Sequence, residues 1–298
     1  EHGKHVFVEK PAAIDSVGYR SFLAAAKQAV NVGLSVMPGT QYRFDRRFVA
    51  SYRKVQEGLI GNIVSGYVYY HTGRDQFIVR RPEWTDMEYM IRGHFNWNWV
   101  NGDQISNMLI HWIDVFNWFS HLKPINAIGY GSRIRKNIGN VYDNFSMHFE
   151  YERGVTVEGM VRRIDGCDNG AGAIIHGEKG SWHSCDFSIR DRNGYKIWQY
   201  DEEAAKNEFK VHDMYTLEHI MLIDHIRKGK VLKVAESVAM SALTAVMARE
   251  SAYTGKICTW DQMVTSDLNM LPKEMALMNV DLKQYEVPLP GIPYGGDL

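Results

Sequence analysis

The sequence is poor in cysteine. Cys167, Cys185 and Cys258 stand far apart and odd in number among 298 residues. They form neither a metal-type pair nor a disulfide framework, and read as reduced structural thiols. Charge of one sign is also missing: 34 basic and 35 acidic residues leave a net charge of -1. That excludes a nucleic-acid binder, because phosphate recognition needs a clustered positive excess. No run of about 20 apolar residues occurs, so no membrane span is expected, and no basic-then-apolar signal opens the chain. No repeat or low-complexity segment is present. No GxGxxG follows a strand anywhere; Gly170, Gly172, Gly177 and Gly180 sit among short strands, where glycine serves turns and bulges.

Apolar residues make up 45% of the chain, enough to bury one large core or two smaller ones. Eight Trp and sixteen Tyr are the kind of side chain that lines sites for flat, hydroxylated ligands. Near the front, HVFVEKPAA is an apolar strand (residues 4–8) stopped by an acid, an amine and a proline. A helix from Ser16 to Val32 follows, capped by Asp15 or Ser16 and ended by Gly33. A second strand at residues 34–37, stopped by Pro38-Gly39, completes a βαβ unit, the building block of a parallel sheet.

Beyond Tyr42 the pattern changes. We expect a helix over 44–58, a strand over 63–72, an irregular Trp-rich loop over 73–101, and one helix over 104–120. Seven closely spaced strand candidates between 125 and 199, with Gly, Asn and Asp turns, argue an antiparallel sheet. Helices over 215–228 and 235–253 follow. The tail from about Pro272 has little pattern and is expected to wrap over the surface or a partner.

Four constellations can carry chemistry. Lys10 stands at a strand end, where ligands of open α/β sheets sit; partial desolvation there pulls an amine toward neutrality and lets it exchange a proton with a hydroxyl. Pro11 fixes the backbone after it. Asn107, His111, Asp114 and Trp118 in NMLIHWIDVFNW follow helical spacing and share a stripe, so a carboxylate can orient an imidazole. Metal binding by the stripe lacks a third ligand and is not expected. Tyr42 and Arg43, just past the second strand, belong near Lys10; Tyr42 can stack on a ligand and Arg43 can hold an anion. Arg162-Arg163 ends a strand and is either a cleft residue or a solvated pair.

VFVEKPAA with its helix and strand leading to QYRFD resembles the Gfo/Idh/MocA oxidoreductases, the glucose–fructose oxidoreductase and inositol dehydrogenase group. GNIVSGYVYY, the HWID segment and ARESAYTGKICTWDQMVTSDL extend the resemblance from residue 4 to about 272. FNWNWVNGD and IDGC resemble the branch of the family common among glycan-processing bacteria. The resemblance implies an α/β (α+β) chain: a Rossmann βαβ remnant (1–40), a substrate-binding and oligomerisation domain with a large open, mainly antiparallel sheet flanked by helices (41–272), and a tail (273–298).

It implies NAD or NADP as cofactor, touched by Glu9, Lys10, Pro11 and Tyr42. It implies a sugar or polyol substrate, with Lys10, His111 and Asp114 catalytic and Arg43, Trp97, Trp99, Asp103, Asn107 and Arg162 as substrate contacts. Relatives often carry Asp one helical turn before the histidine; here that position is Asn107, which cannot act as a carboxylate base. The family's glycine-rich fingerprint lies upstream of EKP by roughly a hundred residues, whereas EKP here begins at residue 9. The expectation is an N-terminally truncated chain that binds nicotinamide poorly alone. A cytoplasmic location is favoured, or a periplasmic one should a leader be lost with the front. Two other readings stay open: an NAD-retaining glycoside hydrolase or lyase, and a non-catalytic carbohydrate-binding remnant. A homo-oligomer, dimer or tetramer, through the open sheet is expected.

Overall fold

The computed structural model describes residues 2–73, 78–135 and 138–291. A two-stranded parallel sheet opens the chain: β1 (Val6–Glu9) pairs β2 (Val36–Gly39), with Glu9 opposite Gly39. Pro38 and Gly39 therefore lie within the second strand rather than stopping it. Between them runs α1 (Ser16–Asn31), whose cap is Asp15, accepting from the Gly18 amide. The other oxygen of Asp15 takes the Met270 amide, and the Arg20 guanidinium donates to the carbonyls of Val264 and Ser266. These bonds clamp the start of α1 to the far end of the chain.

Helix α2 (Arg46–Gln56) leads into β3 (Ile63–Thr72). Of the stretch expected to be irregular, residues 74–77 lie outside the described residues, and from residue 86 it is helical in pieces: α3 (Asp86–Arg92), a 3-10 turn (His94–Asn96) and α4 (Asn98–Asn101). Thr85 caps the first by accepting from the Glu88 amide. These pieces enclose their own small core of Met87, Tyr89, Met90, Trp97 and Trp99. The tail closes that core with Met278, Val280 and Tyr285, and the Val280 amide and the Asn279 side chain meet Asp86.

The helix expected over 104–120 is also divided. Ile105–Leu109 forms a π-turn, and α5 (Ile110–Ser120) continues it. Then come β4 (Pro124–Ser132), β5 (Asn144–Tyr151), β6 (Thr156–Arg163), β7 (Gly170–Gly177), β8 (Gly180–His183), β9 (Ser188–Asp191) and β10 (Lys196–Gln199). Helices α6 (Glu202–Glu208), α7 (Met214–Arg227) and α8 (Ala235–Thr254) precede β11 (Cys258–Thr259) and α9 (Trp260–Thr265). The large sheet has nine strands in the order β10-β9-β8-β7-β3-β6-β5-β4-β11. Every pairing is antiparallel except β3 with β6, which is parallel.

Alternation along the strands sorts their side chains. Val68, Val157, Val161, Met147 and Phe149 point to one face and are almost fully buried beneath α5 and α8. The approach there is close. A side-chain carbon on Gly129 of β4 would sit 2.7 Å from the Ala248 carbonyl of α8. The opposite face carries Tyr67, Tyr69, His148, Glu158, Met160 and Tyr130, with Tyr130 64% and Met160 41% exposed. No helix among the described residues is long and apolar enough to cross a membrane.

Candidate active site

The site lies where β1 and β2 end against α5. The chain turns sharply after each strand, through a cis Lys10–Pro11 bond after β1 and a 3-10 turn, Gln41–Arg43, after β2. Both turns bring polar side chains to the carboxyl end of the parallel pair, the place where open α/β sheets receive ligands.

Lys10 reaches across to the π-turn. Its Nζ donates to the Asn107 main-chain carbonyl at 2.5 Å and to Asn107 Oδ1 at 2.8 Å. Burial pulls the Lys10 ammonium down to about 8, against a smaller opposing pull from Glu9. His111, one turn further on, is pushed down to about 3, first by burial and then by the Lys10 charge, so its imidazole is neutral at neutral pH. The Tyr42 ring stands 5.4 Å from the His111 ring and stacks on Phe48 at 4.5 Å. Burial raises its phenol above the ordinary tyrosine value, so it stays a donor.

The helical stripe does face the 41–43 turn, yet its members divide in role. Asp114 is held by Arg43 in a two-pronged pair at 2.7 and 2.8 Å and also accepts from the Ser241 hydroxyl. Both partners of the pair are buried, at 7% and 2% exposure. Arg43 also lies 5.7 Å from the centre of the Trp118 ring. The expectation of Asp114 as a catalytic acid or base and of Arg43 as an anion contact is therefore corrected: each neutralises the other, and together they brace the turn against α5.

Three further expectations are corrected on the same ground of burial or direction. Trp97 and Trp99 fill the small core under the tail, and Trp99 Nε1 donates to the Met90 sulfur, so neither ring is offered to a sugar. Asp103 is fully buried, with a positive φ of 78°, and accepts from the Gln104 and Tyr142 amides. Arg162 points to the uncovered face of the sheet and donates to the Asp168 carbonyl. Its neighbour Arg163 points the other way, 3% exposed, donating to Gln104 Oε1 and lying over the Phe95 ring at 4.6 Å.

Tyr70 and Tyr215, which the sequence reading passed over, border the site, as does the expected contact Glu9. Tyr70 sits near Arg163, and Tyr70 and Tyr215 both lie near Tyr42. Glu9 lies over Gly39, where an added side-chain carbon would come within 2.7 Å of its Oε2. Among the described residues no group of three or more His, Cys, Asp or Glu is arranged to hold a metal ion.

A short βαβ unit with a desolvated lysine at its strand end, docked on a broad sheet with one face bare, defines the class. Residues 48–183 match the GFO/IDH/MocA C-terminal domain model. No curated protein matches the chain. Solved structures share the fold. The oxidoreductase domain protein from Kribbella flavida is 17% identical, with a TM-score of 0.66 over 86% of this chain and 74% of that one. Myo-inositol 2-dehydrogenase from Lactobacillus plantarum is 18% identical at TM-score 0.61, over 86% and 73%. Scyllo-inositol dehydrogenase from Lactobacillus casei, solved with NAD(H) and scyllo-inositol, is 18% identical at TM-score 0.63, over the same shares.

Proposed function

We propose that this chain serves NAD(P)-linked oxidation of a secondary alcohol on a sugar or cyclic polyol, with Lys10 as the group that receives the hydroxyl proton. The carrying observation is the pair of hydrogen bonds that Lys10 Nζ donates to the Asn107 carbonyl and to Asn107 Oδ1. A neutral amine has two N–H donors and one lone pair. Asn107 takes both donors, which leaves the lone pair as the direction open to a substrate hydroxyl. With its ammonium near 8, a useful fraction of Lys10 is neutral at working pH. His111, a neutral imidazole, orients the same hydroxyl without competing for its proton. Tyr42 walls the site behind it.

A bound nicotinamide would supply the acceptor for the hydride that leaves the carbinol carbon. Glu9, Lys10, Pro11 and Tyr42 fit the reacting end of such a cofactor. The turn between β1 and α1 contains no glycine, so this βαβ unit offers no close backbone seat for a pyrophosphate. We further propose that the bare face of the large sheet pairs with a second copy, since Tyr67, Tyr69, Tyr130 and Met160 form an apolar band across it.

The test is formation of reduced nicotinamide when the chain is supplied with NAD or NADP and a panel of cyclic polyols. Polyol-dependent reduction that falls roughly 100- to 10,000-fold in Lys10→Met supports the reading. Cleavage of a glycoside without net reduced cofactor would replace it with a hydrolytic or lyase one, and polyol oxidation unchanged in Lys10→Met would overturn it.

A further inference from the structure

A thread of polar side chains crosses the core between β5, α5 and α8. The Tyr151 hydroxyl donates to Asn117 Oδ1 at 2.7 Å, and Asn117 Nδ2 donates to Ser241 Oγ at 3.1 Å. The Ser241 hydroxyl donates to Asp114 Oδ1 at 2.8 Å, and Asp114 holds Arg43. All five side chains are buried. We infer that Ser241 is a positioning residue of this site: through Asp114 and Arg43 it sets where Tyr42 stands against His111. The inference deepens the oxidoreductase reading above and rests on it for the reaction that Tyr42 serves.

The thread has one direction. An amide oxygen only accepts, so the Tyr151 hydroxyl donates to it, and the Asn117 amino group is left to donate onward. Ser241 has a single proton and two acceptors in reach. One is Asp114 Oδ1, and the other is the Ser237 carbonyl, one turn back in α8 at 3.2 Å. The second is the bond a helical serine makes by default. The carboxylate is nearer and charged, and it wins. The run of donors therefore ends on the same Asp114 oxygen that receives Arg43 Nη2.

The effect reaches Tyr42 through geometry. Asp114 lies three residues after His111, on the same face of α5, and Arg43 follows Tyr42 in the 3-10 turn. The turn thus meets α5 at two points one helical turn apart: the ion pair, and the contact of the Tyr42 and His111 rings. A carboxylate free to rotate would let the turn pivot on the first point and shift the ring at the second. Tyr42 also packs on Phe48 and Trp112, with ring centres 4.5 and 5.0 Å away, so a pivot displaces it among three other rings. Stability alone does not call for such a thread, because apolar groups of the same shape are about as stable in its place. What the polar groups add is a single geometry, fixed by donors and acceptors of set direction.

Tyrosine rings labelled with carbon-13 in the whole chain report this placement by NMR without any ligand, with Tyr42 assigned by its loss in Tyr42→Phe. Ser241→Ala is expected to move the Tyr42 signal. Tyr151→Phe should move it the same way by less, although Tyr151 bonds to neither Asp114 nor Arg43. The double variant should move it no further than Ser241→Ala does, since both break one thread. In polyol oxidation Ser241→Ala should lower kcat roughly tenfold with KM within about twofold of wild type. The pH at which kcat/KM rises should stay in place, since Lys10 is held by Asn107, outside the thread. A purely structural role would lower the thermal midpoint of both variants and leave the Tyr42 signal unmoved, and that result overturns the inference. So does a kcat equal to wild type in both. Tyr151→Phe removes one oxygen and keeps the ring, so it decides the matter should Ser241→Ala fail to fold. A moved Tyr42 in a chain that oxidises no polyol leaves the placement standing and sinks the oxidoreductase reading. Polyol oxidation with an unmoved Tyr42 does the reverse.

Discussion

At the scale of single residues, the site turns on what faces Lys10. Asn107 presents two neutral acceptors to the amine, where a carboxylate would hold it charged. Asn107→Asp is therefore expected to raise the Lys10 pKa from about 8 and move the ascending, acid-side limb of the rate profile to higher pH, read from kcat/KM against pH. His111 gives a stability signal of opposite use. Its folded pKa of about 3 lies below the ordinary 6.5. Between those values the unfolded chain holds more protons, so stability falls as pH drops through that window. His111→Gln should flatten this acid limb in denaturant titrations; an unchanged slope would show that the imidazole is not held neutral. The Arg43–Asp114 pair makes the third case. Removing one member leaves the other buried and unpaired, at a cost of about 3–5 kcal/mol. Arg43→Met alone should thus lower the unfolding midpoint more than Arg43→Met with Asp114→Leu.

At the scale of elements, the strong periods were legible and the short pieces were not. The run of β-branched and aromatic residues marked β3 to the residue, 63–72. Strand alternation separates Arg162 from Arg163: in β6 one step of sequence is a change of face, and the sequence offered no sign of which face was covered. Helices α3 and α4 have seven and four residues, too few for a 3.6-residue period to declare itself. They exist because Trp97, Trp99 and Met90 find the tail to pack against. Lys10 and His111 could be found from strand-end and helix-face logic. Close packing of α8 on β4 is also an element-level property. Gly129→Val would drive a side chain into the Ala248 carbonyl and should cost about 1–3 kcal/mol, measured by thermal unfolding, unless α8 lifts off the strand.

At the scale of the whole molecule, two features stand apart from the main core: the bare sheet face and the tail. The band of Tyr67, Tyr69, Tyr130 and Met160 is expected to hold two copies together, so Tyr67→Arg with Met160→Asp should shift sedimentation toward monomer while leaving the fold intact. The tail ties Asp86 through Asn279 and Val280 and Tyr142 through the Pro288 carbonyl. Its removal should therefore loosen the Trp core first, visible as a red shift in tryptophan emission before global unfolding.

The parallel pairing of β3 with β6 sets an order of events during synthesis. Tyr67 and Met160 are neighbours across it but lie 93 residues apart, and β7, the other partner of β3, comes later still. At roughly 5–20 residues per second on a ribosome, β3 waits on the order of 5 to 20 seconds with both edges unpaired. Its run of aromatic and branched side chains is then a ready template for the wrong strand. The nascent chain, more than the finished one, is where a holding chaperone would find its substrate.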